Sequence, residues 1–175
     1  MIVENSVSRS SGVGKRNYAM VLLASRLGLR ASDIAGLQFS NIDWDRDTIT
    51  LVMQKTGKAI ELPLLADVGN AIIDYLQNGR SRSALQSVFL SGRAPYVAAT
   101  KSMVCSAINA RICKSGIDVT AKHHGPHSLR HSLASAMLEN GTMMPVISES
   151  VVHVVKDTFL AATQIVEFNN VPCRL

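Results

Sequence analysis

Apolar residues recur at helical spacing between Arg16 and Leu29, where Tyr18, Val21, Leu22 and Leu29 share a stripe with the small Ser25, and this predicts a helix. Gly28 interrupts the run and ASDIAGL (31–37) reopens it, so a glycine corner and a second short helix are expected, with Ser32 as the N-cap. The period then changes. TITLVMQ (48–54) and AIELPL (59–64) are rich in β-branched and apolar residues and flank Lys55-Thr56-Gly57-Lys58, the pattern of an antiparallel hairpin whose second strand closes at Pro63. Helical spacing returns at about 66–78, 100–114 and 127–139, the last stopping at Asn140-Gly141, with a further helix expected from about Met143. The stretch 80–99, holding Gly92, Pro95 and a short VFL strand candidate, reads as a loop. The expected fold class is mainly α with a small antiparallel β hairpin (α+β), without internal repeat or strong linker.

The 175 residues fit one domain, and 47% apolar against 18% charged residues exclude a disordered chain. A globular body is expected from about Val13 to residue 175, with residues 1–12 as a flexible polar lead-in. The longest apolar stretch of the first helix, AMVLLA (19–24), is far below the roughly 18–20 residues that span a bilayer, and no leader pattern opens the chain. A cytoplasmic protein without a membrane partner is expected. Cys105, Cys113 and Cys173 form no C-x-x-C pair and read as idle thiols in a reducing compartment. The net charge of +5 favours an anionic partner such as nucleic acid, and the placement of the cations decides whether that matters.

Several cations stand at special places: Arg30 at the glycine corner, Lys55 in the hairpin link, His127 and Arg130 where a helix opens after Gly125-Pro126. Three residues apart, His127 and Arg130 share a helix face beside free backbone N–H groups and positive partial charge, an arrangement suited to a phosphate. Metal-free phosphodiester transesterification needs cations on the non-bridging oxygens, a proton donor for the leaving oxygen and an acceptor for the nucleophile's proton. Arginines, a lysine and a histidine supply those parts. The acids are scattered, unlike a two-metal carboxylate cluster, so neither metal nor other cofactor is expected. His123, His124, His127 and His131 raise a zinc site as a rival reading, against which Lys122 and Arg130 make the local charge unfavourable for a cation.

Three strings, GLRASDIAGL (28–37), QKTGKAIELPL (54–64) and GPHSLRHSLASAMLENG (125–141), occur in the order and spacing of the catalytic domains of tyrosine recombinases, the phage integrase family. The resemblance runs from about Lys15 to His153. It implies that Arg30 and Arg130 are the arginine pair that grips the scissile phosphate, by bidentate charge-assisted hydrogen bonds. It further implies that Lys55, with Lys58 as the lesser candidate, protonates the leaving 5′-oxygen, and that His127 assists proton transfer. His153 matches the family's second histidine or tryptophan, in a segment usually written L-G-H and here V-V-H, and Asp33 is expected to steady Arg30. The family's DNA-binding arm, the N-terminal core-binding domain, has no counterpart in the chain. The implied partners are double-stranded DNA at a recombination site and other recombinase subunits, four in the family's assemblies, with a monomer expected in free solution.

The family's nucleophile is a tyrosine about nine residues past the second histidine, and here that count falls on Ala162. The tyrosines are Tyr18, Tyr75 and Tyr96, all upstream of the catalytic helix. From about 151 the tail is otherwise unlike the family's, a pattern that degeneration, a reading-frame change or engineering would each produce. Three readings follow: a DNA recombinase or integrase of a mobile element, working through a 3′-phosphotyrosine; a cleavage-inactive DNA-binding module; and, ranked last, a helical metal-binding or protein-interaction domain.

Overall fold

The computed structural model describes residues 9–52, 57, 59–115 and 126–141. Helix α1 (Gly12–Arg26) begins four residues before the predicted Arg16, because Ser11 caps it, its hydroxyl oxygen accepting from the Gly14 N–H at 3.1 Å. Gly12 and Gly14 are poor helix formers and hide this start from the apolar pattern. Gly12 is there for closeness: a Cβ on it would sit 2.5 Å from the carbonyl oxygen of Gly79, at the end of α3 (Ala66–Asn78).

Through Ala19–Ala24, α1 is at most 1% exposed, so the predicted one-sided stripe is in fact a helix buried all round. Helix α3 runs antiparallel along one flank, tied by Lys15 to Asp74 at 2.5 Å and by Arg26 to Asp67 at 3.1 Å. Helices α4 (Lys101–Lys114) and α5 (Pro126–Glu139) cover other flanks, and the short α2 (Ala31–Ala35) packs on α4. Helices α3, α4 and α5 lie within a residue of their predicted starts. Thr100 caps α4 by accepting from the Met103 N–H, and Pro126 takes the first position of α5, where its missing N–H costs nothing.

Among the described residues the sheet has three antiparallel strands in sequence order, β1 (Ile42–Asp43), β2 (Thr48–Val52) and β3 (Ala59–Pro63). β2 and β3 form the predicted hairpin, in a register running from Thr48 opposite Pro63 to Val52 opposite Ala59. Ile49, Leu51, Ile60 and Leu62 point into the core while Thr50 and Val52 face water, the alternation of a half-covered sheet. β1 was not predicted, since two residues carry no readable alternation; Asp43 turns the chain into β2 by accepting from the N–H groups of Asp45 and Arg46.

Residues 88–90 are buried, but of the isolated bridges here only Leu90 with Ala98 belongs to them, Gln38 pairing with the preceding Ser87, so the VFL segment is an anchored loop and not a strand. Arg80 holds that loop, donating to the carbonyls of Leu85, Ser87 and Val88 with its guanidinium 5.1 Å from the centre of the Phe39 ring. Among the described residues no helix is long and apolar enough to cross a membrane, and Cys105 and Cys113 are free thiols. Cys173 and the helix expected from Met143 lie outside the described residues.

Candidate functional site

The corner after α1 is built on Gly28, whose φ of +59° is costly for a residue with a side chain, and it is closed by the Leu29 N–H donating to the Leu23 carbonyl at 3.3 Å. The chain re-enters a helix at once, so the capping position of α2 falls on Arg30 rather than on the predicted Ser32. It is the backbone carbonyl of Arg30 that receives the N–H groups of Asp33 and Ile34, each at 3.0 Å. Its guanidinium is not used for capping. Ser32 lies inside the helix, its hydroxyl 3.4 Å from Asp33 Oδ1.

Arg130 reaches this corner from α5, one turn past Pro126. Its Nη1 donates to the Gly28 carbonyl, two residues before Arg30 in sequence and 102 residues from Arg130. Leu133, three residues further along α5, comes within 3.1 Å of where a Gly28 Cβ would stand. The glycine thus admits the helix and its carbonyl orients the arginine, a role that sequence reasoning missed.

Burial lowers the pKa of Arg130, the neighbouring Arg30 cation lowers it further, and Asp33 opposes them. Two guanidinium groups therefore act on one another, and Asp33, predicted to steady Arg30, is 4% exposed with its charge acting on Arg130. Among the described residues the Gly28 carbonyl is the hydrogen-bond acceptor of Arg130, and it engages one of the five donors of the guanidinium. A partly desolvated pair of cations anchored to one corner is chemistry for an oxyanion such as a phosphodiester.

Lys55 and Lys58 fall in the link 53–58 that joins β2 to β3, and they, His123, His124 and His153 lie outside the described residues. The backbones of His127 and His131 belong to α5; their side chains lie outside the described set.

The three tyrosines have other tasks. Tyr75 is buried against Phe89, its hydroxyl oxygen accepting from the Leu90 N–H at 3.3 Å, and burial pushes its pKa up, which makes it a poorer nucleophile. It sits beside Arg16, and the eleven residues from there to the Leu27 corner amount to about 16 Å of helix. Tyr96 is 42% exposed in the loop whose Gly92 packs against Val13, at that same far end of α1. Tyr18 is half-buried, with the Arg9 guanidinium 4.9 Å from its ring centre.

The sequence model of the Phage integrase family matches residues 3–159. The Sinorhizobium fredii protein named "Putative integrase/recombinase y4rA" is 41% identical over 150 residues, which cover 85% of this chain and 36% of that one. Tyrosine recombinase XerC of Pelobacter propionicus is 30% identical over 140 residues, 80% of this chain and 44% of that one. The chain thus spans well under half the length of these two curated relatives. In fold it is similar to the crystal structure of XerA recombinase, with a TM-score of 0.70 at 21% identity over 97% of this chain and 56% of that one. It is similar also to the lambda integrase catalytic core, with a TM-score of 0.61 at 17% identity over 86% of this chain and 88% of that one.

Proposed function

The chain belongs to the phage integrase family, and on that premise we propose that from about residue 13 it is the catalytic domain of a tyrosine recombinase, acting on duplex DNA at a recombination site. The observation that carries this reading is the Arg130–Gly28 hydrogen bond, which anchors one arginine two residues from the other and turns two distant cations into one phosphate grip. In the reaction proposed, a tyrosine hydroxyl attacks phosphorus and gives its proton to an acceptor, the bond from phosphorus to the 5′-oxygen breaks, and that oxygen takes up a proton. The product is a 3′-phosphotyrosine that stores the bond energy for rejoining. Arg30 and Arg130 hold the non-bridging oxygens, Lys55 supplies the proton, and His127 and His153 assist. XerH, a recombinase solved bound to its difH substrate in a pre-cleavage complex, has this fold at a TM-score of 0.70, and a bound duplex and further subunits, four in a full assembly, are part of the proposal.

A second reading, favoured by Ala162 at the nucleophile's place and by Tyr75 and Tyr96 at the far end of α1, is a domain that binds DNA and does not cut it. One experiment separates them. The chain is incubated with a suicide-nicked duplex carrying a candidate site, resolved on a denaturing gel and peptide-mapped, beside a salt-titrated binding assay. Salt-sensitive binding without an adduct is expected from the second reading, and an adduct from the first. A chain that binds no duplex at any salt refutes both.

A further inference from the structure

At the start of α1, away from the arginine pair, lies a cavity of about 220 Å³, lined by Ser11, Gly12, Arg16, Tyr75, Ser81 and Ser91 among others. Arg16 is only 8% exposed. A buried guanidinium ordinarily has a carboxylate against it, because removing a bare charge from water costs several kcal/mol. Arg16 has neutral partners: its Nε and Nη2 donate to Asn17 Oδ1 at 3.1 and 2.9 Å, and its Nη1 donates to the Leu90 carbonyl at 2.8 Å. Among the described residues, three of its five N–H groups are so used.

No Asp or Glu lines the cavity among the described residues. Asp74, next in sequence to Tyr75, is committed to Lys15 at 2.5 Å and to Asn78 at 2.9 Å. The titratable neighbour facing Arg16 is the neutral Tyr75. Three serines border the space, and it opens at the first turn of a 15-residue helix, where backbone N–H groups and the helix dipole favour negative charge.

We propose that this cavity is a second anion site, in which Arg16 and the start of α1 hold a phosphate-type oxyanion, carried by a DNA backbone or free in solution. The anion supplies a counter-charge that no described residue gives Arg16. The site is independent of the arginine pair at the other end of α1, and its failure says nothing about that pair.

The test is thermal unfolding in potassium phosphate against potassium chloride at equal ionic strength, in a chain carrying Arg30→Gln so that the other cation pair is weakened. A rise of roughly 3–5 °C for each tenfold of phosphate above the dissociation constant is expected. Because Arg16→Ala removes packing as well as charge, the deciding variant is Asn17→Asp, which keeps the acceptor geometry and puts a carboxylate on the guanidinium. It is expected to abolish the phosphate shift. A parent chain indifferent to phosphate, or an Asn17→Asp chain that still responds, overturns the proposal. Duplex binding by Asn17→Asp in the otherwise native chain then assigns the source. A salt slope lower by about 0.9 means a DNA phosphate occupies the site, and an unchanged slope together with the lost phosphate shift means a free one.

Discussion

Replacing Gly28 with alanine tests the corner on which the proposed site stands. The left-handed backbone at φ +59° costs a residue with a Cβ about 1–2 kcal/mol. The new methyl would also stand 3.1 Å from Leu133 Cδ2, so α5 has to yield by a few tenths of an ångström, and with it the Arg130 fork that rests on the Gly28 carbonyl. Gly57 provides the control. Its φ is +67° but no described residue lies within 4 Å of its Cβ position, so Gly57→Ala is set to incur the backbone strain without a helix contact. Thermal unfolding and salt-titrated duplex binding of the two variants together isolate the helix contact. Gly28→Ala is expected to lose about 2 kcal/mol, a fall of about 4–8 °C in Tm if each kcal/mol shifts it by 2–4 °C, and to weaken duplex binding. Gly57→Ala should lose less and bind as the parent does. Equal stability and equal affinity in the two variants refute the claim that Gly28 seats Arg130.

Arg130→Lys keeps the charge but loses the fork; a duplex titration should show affinity reduced at least several-fold with a nearly unchanged salt slope, while Arg130→Gln should lower the slope by about 0.9. Asp74 has its pKa lowered, first by the hydrogen bond from Lys15, so its contribution to stability is complete above the ordinary aspartate range and is lost as pH falls through the lowered folded value. Since Asp74 is about a third exposed, Asp74→Asn should cost no more than about 1 kcal/mol in denaturant unfolding at pH 7, and parent and variant should converge below about pH 3. Phe89→Ala removes a fully buried ring stacked on Tyr75 and should cost about 3–5 kcal/mol by the same measurement; a loss under 1 kcal/mol would mean that the 80–99 loop is not anchored as described.

Helix α3 was legible from a clear apolar period and α5 from its stop at Asn140-Gly141, while Thr100, placed inside the predicted 100–114 helix, is the cap of α4. The start of α1 was hidden by two glycines, of which Gly12 is there for closeness to the end of α3, and β1 by its length. Ser32 was misread as a cap because its residue type suits the role, while the capping position is set by where the glycine corner releases the chain. The arginine pair was legible from motif order. What aims Arg130 was not, since a backbone carbonyl gives no residue-type signal and its partner lies 102 positions away. The burial of Arg16 was invisible for a related reason: an arginine on a helix reads as solvated, and only tertiary packing reveals that it is buried.

The length of that Gly28–Arg130 connection also bears on how the protein is made. On the ribosome α1 and the corner with Arg30 emerge early, but the grip has only one of its two hands until the segment holding Arg130 has cleared the exit tunnel and α5 has settled on Gly28. A nascent chain, or one that terminates before α5, can carry most of the core and still be unable to clasp a phosphate at the corner. Competence for the proposed grip thus comes only after α1 to α4 have been made, and a product interrupted before α5 would lack one of its two arginines.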